Sequence, residues 1–459
     1  MLRIDTSLTP GALRRDIERL FELSAKKVFA LDRSWNPLAG SPVVTVGGKY
    51  TSRGWTEWTQ GFQFGSAILQ FAATGDRRCL AIGRAGTIRH MAAHVSHVGV
   101  HDHGFNTVST YGNLLHLAVS GAMRPDEGEV RLCELALKVS GAVQAARWTG
   151  LPGGLGYIYS FNGPHSLFSD TIRSLRILAL AHRLGHCLMG EGDRRISLLG
   201  RLLAHAETTA RYNVYFGEGR DRYDVRGRVA HESIFNQNDG SYRCPSTQQG
   251  YSPFTTWTRG LAWILCGYAE QLEFIDTLPD GELRAHGGKA AVLGRFLRVA
   301  RVTADYYLAQ TPTDGVPYWD TGAPGLVRLG AYLERPADPF NDHEPVDSSA
   351  AAIAAQGLVR LGRFLRARRP SGAGDRYLAA GLTIARTIFG EPYLSTSPRH
   401  QGLLLHTVYH RPRGWDHVPA GRKVPCGESS MWGDYHAREL ALLIKRMAER
   451  KAHYTFFGL

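Results

Sequence analysis

The sequence lacks the features that mark membrane, secreted and metal-finger proteins. None of its apolar runs approaches the roughly 20 residues that a membrane helix needs, and the N-terminal stretch MLRIDTSLTPGALRRDIERL contains no apolar core of a signal peptide. Its six cysteines lie far apart and form no CxxC pair, which predicts small core residues in a reducing compartment. We therefore expect a cytoplasmic protein without a membrane segment.

Motifs for nucleotides and for common metals are also missing. The chain has no GxGxxG after a strand, no GxxxxGK[ST], no EF-hand loop and no HExxH. His94, His97, His101 and His103 lie within ten residues and leave zinc open as an alternative, although no spaced second pair follows them. The sequence therefore contains no cofactor signature; that neither a metal nor an organic cofactor is needed is implied only by the family resemblance described below.

The formal net charge is +13, from 54 Lys and Arg against 41 Asp and Glu. Such a balance suits nucleic acid, an anionic membrane or an acidic small substrate. The basic residues are spread at helical spacing between apolar residues, as on a solvated helix face, and no recognition motif accompanies them. We therefore expect no nucleic-acid partner, and an acidic substrate remains.

Helical periodicity dominates the chain. Amphipathic or apolar segments of helical period fall near 10–31, 60–74, 77–96, 104–120, 127–147, 167–189, 193–213, 257–278, 286–310, 346–367, 372–390 and 428–449. Short joins such as MRPDEGE and RPSGAGDR favour antiparallel pairs. Twelve such segments predict an all-α toroid of six helix hairpins, forming a single domain over 1–459. The longer stretches 214–256, 311–345 and 402–436 predict functional loops with minor β structure.

One of these loops runs into a helix over 247–263, TQQGYSPFTTWTRGLAW, and combines Gln248, Gln249, Tyr251, Trp257, Arg259 and Trp263. Aromatic rings offer flat apolar surfaces, and a guanidinium can bind a carboxylate with two parallel hydrogen bonds. The combination suits a ring-shaped acidic ligand such as a uronic acid. The alternative is that both tryptophans are core residues and that Arg259 caps a neighbouring carbonyl.

Two aspartates stand out because apolar and neutral residues surround them. Asp102 lies in VGVHDHGFNTVS and Asp170 in SFNGPHSLFSDTIRSL, each directly before a helical segment. Plain N-capping is the alternative for both. A carboxyl group that is partly desolvated near a second carboxylate gains pKa and can act as an acid. Two carboxylates that face one sugar ring are what glycoside chemistry needs.

Several motifs occur in an order that resembles the unsaturated glucuronyl hydrolases, glycoside hydrolase family 88. They are HDHGF, DTIRSL, TQQGY with WTRGLAW, VPYWD with VDSSAAAIAAQGL, and LLLHTVYH with ESSMWGDYHARELALLI. The resemblance covers about residues 55–450. It implies an (α/α)6 barrel, in agreement with the helix segments found from periodicity. It also implies hydrolysis of an unsaturated uronyl oligosaccharide, in which the C4=C5 vinyl ether is hydrated.

The resemblance further implies roles for individual residues. Asp170 would protonate C4 and then activate the water that adds at C5. Asp102 would bind ring hydroxyls and raise the pKa of Asp170 by charge repulsion. Gln249 and Arg259 would hold the substrate, with Arg259 binding the uronate carboxylate. Trp257, Trp263 and Trp55 would line the pocket for the sugar ring. Ser429 and Ser430 would lie near the second sugar.

The chain also departs from the family pattern. Residues 171–174 replace the usual Met and Asn residues after the acid, and Gln248 replaces a common histidine. Arg173 and Arg176 could serve an acidic or sulfated ligand, or could be salt-bridge partners at the edge of the core.

Three other functions stay open: an unsaturated rhamnogalacturonyl hydrolase, a sugar epimerase on the same barrel, and a non-catalytic carbohydrate-binding protein. An Asp at 102 favours the glucuronyl type. We expect a monomer or dimer, and the source polysaccharide, linkage and sulfation are not fixed by the sequence.

Overall fold

The computed structural model describes residues 1–124, 127–368 and 372–458. Two predicted helix joins, near 126 and near 370, fall partly outside these ranges. The helices within them are α1 Arg14–Ser34, α2 Gln60–Thr74, α3 Arg77–His90, α4 Ala92–Val95, α5 His103–Thr107, α6 Asn113–Val119, α7 Glu127–Ala146, α8 Thr171–Ser174, α9 Arg176–Arg183, α10 Leu198–Tyr212, α11 Thr258–Thr277, α12 Asp280–Leu283, α13 Lys289–Ala309, α14 Ser348–Arg368, α15 Gly372–Ile388 and α16 Met431–Ala448.

Contacts between helices close a ring. In order, α2 contacts α5, α5 contacts α8, α8 contacts α11, α11 contacts α14, α14 contacts α16, and α16 returns to α2. Outside this ring lie α1, α3, α7, α10, α13 and α15, each packed on inner helices. Taking α5 with α6 and α8 with α9, the described residues form six inner and six outer segments. The predicted (α/α)6 barrel is confirmed.

Small residues let the inner helices approach one another closely. A side chain at Gly357 of α14 would place its Cβ 2.9 Å from the Cα of Cys266 on α11. At Gly104 of α5 a Cβ would lie 1.9 Å from the carbonyl oxygen of Ser174 on α8. Because backbone atoms cannot move aside cheaply, both positions require glycine.

Two predicted helical segments are interrupted. The segment at 104–120 contains a π-helical turn, Val108–Gly112, between α5 and α6. The segment at 167–189 begins as a strand and is divided into α8 and α9 at Leu175. Apolar periodicity cannot separate these cases, since a short buried strand and a buried helix are equally apolar.

Short antiparallel strands occur between the helices, although only one of the three stretches predicted to carry β structure, 214–256, contains any of them among the described residues. They are β1 Val44–Val46, β2 Lys49–Thr51, β3 Trp148–Gly150, β4 Gly156–Ile158, β5 Ser166–Phe168, β6 Leu188–Met189, β7 Arg195–Ile196, β8 Glu232–Phe235 and β9 Tyr242–Ser246. The order β5-β8-β9 forms a three-stranded sheet in which Glu232 pairs with Phe168 and with Ser246. This sheet therefore fixes the backbone directly before α8.

A buried ionic network crosses the interior of the barrel. Arg173 donates two 3.0 Å hydrogen bonds to Glu270 and one of 2.7 Å to Glu439. Arg176 lies 3.7 Å from Glu270 and 3.6 Å from Glu439. All four side chains are buried. Arg173 and Arg176 are thus salt-bridge partners, deep in the core and not at its edge, and neither lines the cavity that holds the candidate active site.

The larger apolar cluster of the core runs from Leu2 to Phe457. Its extent supports a single domain, which stays a prediction. Within the described residues, no helix combines the length and apolarity needed to cross a membrane.

Candidate active site

A cavity of about 300 Å³ opens where the inner helices begin. Seven of the nine residues predicted for the site line it: Trp55, Asp102, Asp170, Gln249, Trp257, Arg259 and Trp263. Most of them lie just before an inner helix or in its first turn, so the toroid brings them together although they are far apart in the sequence.

The two predicted carboxylates meet in this cavity. Asp102 directly precedes α5 and Asp170 directly precedes α8, yet neither side chain makes a capping hydrogen bond. Oxygens of both lie within 4.8 Å of each other and of a nitrogen of His101. All three residues are buried. The capping alternative therefore does not describe either aspartate.

Burial raises the pKa of both carboxyl groups. For Asp170 burial is the largest cause and raises the pKa to about 7, while the Arg259 cation opposes the shift and the charge of Glu232 adds to it. Burial also raises the pKa of Asp102 well above its usual value, and the neighbouring Asp170 raises it further. The predicted raised pKa of Asp170 is thus present, but burial causes it, and the repulsion within the pair acts on Asp102.

His101 completes the group and was not predicted for the site. Its Nε2 lies 3.6 Å from Asp102 Oδ1 and 4.0 Å from Asp170 Oδ1. Burial lowers the pKa of this imidazole well below its usual value, so the ring is neutral. Its position directly before Asp102 could have indicated a role for His101 in the site, but the three other histidines nearby favoured a metal-binding interpretation instead.

The zinc alternative had rested on four clustered histidines, which do not converge. His103 bonds Ser140 Oγ and the carbonyl oxygen of His97, and His94 bonds Asn106. Across the described residues, one group has metal-ligand geometry, and it consists of His101, Asp102 and Asp170. Those three side chains are chemically able to hold a divalent cation beside the cavity.

The guanidinium of Arg259, predicted to bind the uronate carboxylate, is occupied by acceptors of the protein itself. Its Nη1 donates to Asp347 Oδ2 at 2.6 Å and to the carbonyl oxygen of Val408. Its Nη2 donates to Gln249 Oε1 at 3.0 Å and to the carbonyl oxygen of Tyr409 at 2.8 Å. The predicted carboxylate clamp is therefore corrected: these four bonds engage both terminal nitrogens, as in the carbonyl-capping alternative. Asp347, 88 residues further along the chain, could not be recognised as its partner from sequence.

The three predicted tryptophans differ in exposure. Trp257 and Trp263 are 3% and 2% exposed, and Trp263 packs at 4.9 Å from the ring of Phe105. They are core residues with one edge on the cavity, so the core interpretation and the predicted place in the ring pocket both apply. Trp55 is 74% exposed and has a positive φ of 63°. It stands at the cavity mouth, with the guanidinium of Arg413 5.9 Å from its ring.

Ser429 and Ser430 do not line the cavity, which corrects their predicted contact with a second sugar. The hydroxyl of Ser430 caps α16 by accepting from the backbone N–H of Gly433. The backbone of Ser429 exchanges hydrogen bonds with Thr45, which ties this segment to β1. Both serines are fully buried.

Further lining residues come from the loop 402–436 and from the turn before α2. That loop had been predicted as functional, but its individual contacts with the cavity were not. These aromatic, basic and acidic residues are Glu57, Trp58, Tyr409, His410, Arg413 and Trp415. Gln248, which belongs to the predicted ligand-binding cluster and is also a departure from the family pattern, faces the cavity, whereas Tyr251 of the same cluster does not line it.

Comparison with known proteins bears on this geometry. An unsaturated glucuronyl hydrolase of Bacillus sp. strain GL1 is 26% identical over 409 residues, 87% of this chain and 89% of that protein. An unsaturated chondroitin disaccharide hydrolase of Streptococcus agalactiae serotype III is 22% identical over 392 residues, 84% of this chain and 80% of that protein. The chain is a relative of the unsaturated glucuronyl hydrolases.

The solved structure of the Bacillus sp. GL1 unsaturated glucuronyl hydrolase superimposes with a TM-score of 0.69 at 22% identity, covering 96% of this chain and 97% of that one. No family model matches the sequence. The comparisons confirm the resemblance to unsaturated glucuronyl hydrolases and the barrel, and they support the assignment to glycoside hydrolases.

Proposed function

We propose that this chain is a glycoside hydrolase that removes a 4,5-unsaturated uronic acid from the nonreducing end of lyase-generated oligosaccharides. One observation carries the proposal: two buried carboxyl groups and an imidazole lie within 4.8 Å of one another beside a cavity. The names of the relatives support the same substrate class.

In the proposed reaction, protonated Asp170 gives its proton to C4 of the vinyl ether, and positive charge develops at C5. The resulting carboxylate takes a proton from a water molecule, whose oxygen bonds to C5 and forms a hemiketal. The hemiketal then opens to a ketone, and the hemiacetal left at C1 collapses to an aldehyde and releases the second sugar. One water is consumed, and Asp170 regains its proton. A pKa of about 7 suits a group that acts first as acid and then as base.

Asp102 and His101 would hold the sugar in this reaction. Asp102 offers acceptor oxygens for ring hydroxyls. Gln249 takes the place first given to Arg259: Arg259 occupies the amide oxygen of Gln249, which leaves the Gln249 NH2 group to donate to the uronate carboxylate. The aromatic lining covers the apolar faces of the ring.

The test follows the absorbance of the conjugated double bond with a panel of unsaturated uronyl disaccharides. Wild type should abolish the absorbance of at least one member. Asp170→Asn should lose turnover by at least about 10³-fold while still binding that disaccharide. Full activity of Asp170→Asn would refute the assignment of the acid. If wild type left the absorbance of every member unchanged, an epimerase or a binding protein would be favoured.

The reaction uses only side chains and water, so we expect activity to survive EDTA. A cytoplasmic location and a monomeric or dimeric state stay predictions.

A further inference from the structure

The side-chain amide of Gln248 is hydrogen-bonded to a buried carboxylate. Its side chain faces the cavity, and its Nε2 donates a 3.2 Å hydrogen bond to Glu232 Oε2. The backbone N–H of Gln248 donates to His231 Nδ1 at 3.0 Å, which fixes the start of the side chain as well. Glu232 is fully buried.

The carboxylate of Glu232 accepts hydrogen bonds from three side chains. Its Oε1 accepts from Asn162 Nδ2 at 2.7 Å and from Ser166 Oγ at 2.5 Å, and its Oε2 accepts from Gln248. Its backbone is fixed in β8 between β5 and β9. Because Gln248 Nε2 donates to Glu232 Oε2, the Gln248 amide turns its NH2 group toward Glu232. The carbonyl oxygen of Gln248 is then the atom on the other side of the amide.

We propose that Glu232 is a positioning residue that fixes the Gln248 carbonyl oxygen toward the sugar, making Gln248 selective for a hydrogen-bond donor. The matching group on the substrate is a hydroxyl or an amide N–H. An O-sulfate at the same ring position is rejected, because a sulfate has only acceptor oxygens and would face a carbonyl oxygen. The inference rests on the proposed function and adds a specificity determinant to it.

The neighbouring Gln249 has the opposite polarity for the same kind of reason. Arg259 donates to its Oε1, so its NH2 group is left as the donor. Two adjacent glutamines therefore present one acceptor and one donor to a single ligand. Neither side-chain amide can flip its oxygen and NH2 group while Glu232 and Arg259 remain in place.

The experiment compares pairs of unsaturated uronyl disaccharides that differ by one O-sulfate. Wild type should show, at one ring position, a kcat/KM for the hydroxyl form at least about 100-fold above that for the sulfated form. Glu232→Gln lets the Gln248 amide rotate and present its NH2 group. We expect this variant to narrow the ratio at that position about tenfold or more, mainly through KM.

A control variant removes a partly buried carboxylate elsewhere. Glu428 accepts hydrogen bonds from Thr45 and from the backbone N–H groups of Gly47 and Gly48, and it does not line the cavity. Glu428→Gln should leave the discrimination ratio unchanged even if it lowers the melting temperature. If Glu232→Gln fails to fold, Gln248→Leu removes the same acceptor and should narrow the same ratio.

The outcomes separate the two proposals. An unchanged ratio in a folded Glu232→Gln or Gln248→Leu variant, with wild type active, overturns the positioning role alone. A wild type that hydrolyses both members of every pair equally well also overturns it. A wild type inactive on the whole panel overturns the proposed function, and the positioning role with it.

Discussion

The Nη2 of Arg259 donates a 3.0 Å hydrogen bond to Oε1 of Gln249 at the wall of the cavity. Arg259 is 1% exposed, and Asp347 balances its charge. The guanidinium therefore orients a neutral amide, and the amide's NH2 group is left without Arg259 as a partner. A uronate carboxylate would then be bound by N–H groups that a buried cation has aligned.

Gln249→Glu should abolish substrate binding without weakening the fold. The new carboxylate keeps the hydrogen bond with Arg259 as an ion pair, but it replaces the donor group with an acceptor and repels the uronate. We expect kcat/KM to fall by at least about 100-fold, with a melting temperature no lower than that of wild type. Steady-state kinetics and thermal unfolding measure the two quantities.

Gln249→Ala is the matched control, because it removes the amide without adding charge. Its kcat/KM should fall by about 10- to 100-fold, less than for the charged variant. If Gln249→Glu bound the substrate as well as Gln249→Ala, the carboxylate of the sugar would lie elsewhere.

The pH dependence of the reaction should follow the protonation of Asp170. Burial raises its pKa to about 7, and the first step needs the protonated form. Because the acid is lost as pH rises through that pKa, kcat/KM should be level below about pH 6 and should fall about tenfold per pH unit above about pH 8. The profile is measured from pH 5 to pH 9 with circular dichroism to verify that the protein stays folded. A rate that increases with pH would show that the reaction begins with a base.

The fold was predictable because periodicity is a local signal. Ala350–Ala355 of the inner helix α14 are fully buried, whereas the outer helix α1 buries one face through Ile17, Leu20, Phe21 and Leu31. The two aspartates were predictable for a similar reason, since their apolar neighbours indicated burial. The interruption of 104–120 by a π-helical turn left no such signal.

Partners distant in sequence limited the prediction of individual roles. Arg259 was assigned to the substrate because nothing near it in the sequence indicated Asp347 or the carbonyl oxygens of Val408 and Tyr409. Ser430 was assigned by its place in a motif, although a serine three residues before Gly433 at a helix start also suits an N-cap. Glu232 has no local signal in the sequence, because its contact with Gln248 depends on the pairing of β8 with β9.

Arg173→Met should destabilise the barrel strongly. Removing this cation leaves Glu270 and Glu439 without their closest partner in the core, and an unpaired buried charge costs about 3–5 kcal/mol. The free energy of unfolding is measured by denaturant titration. Arg298→Met is the control, because the Arg298–Glu218 pair has side chains 50% and 64% exposed. It should change stability by less than about 1 kcal/mol. Equal losses for the two variants would contradict the importance of the network.

Alanine substitutions of Trp55 and Trp263 should affect different quantities, KM for Trp55 and the free energy of unfolding for Trp263. Trp55 is 74% exposed at the cavity mouth, so Trp55→Ala should change the free energy of unfolding by less than about 0.5 kcal/mol. Loss of its contact with the sugar should raise KM about two- to tenfold. Trp263 packs on Phe105 and His436, and Trp263→Ala should cost about 3–5 kcal/mol of stability.

Leu38→Ala gives the baseline for an exposed apolar residue away from the cavity, since Leu38 is 94% exposed. It should change neither KM nor the melting temperature. A Trp55→Ala variant with the KM of wild type would place the ring outside the substrate's reach. A large stability loss in Trp55→Ala would mean that Trp55 packs against the barrel in solution, because only a packed ring can contribute to folding on that scale.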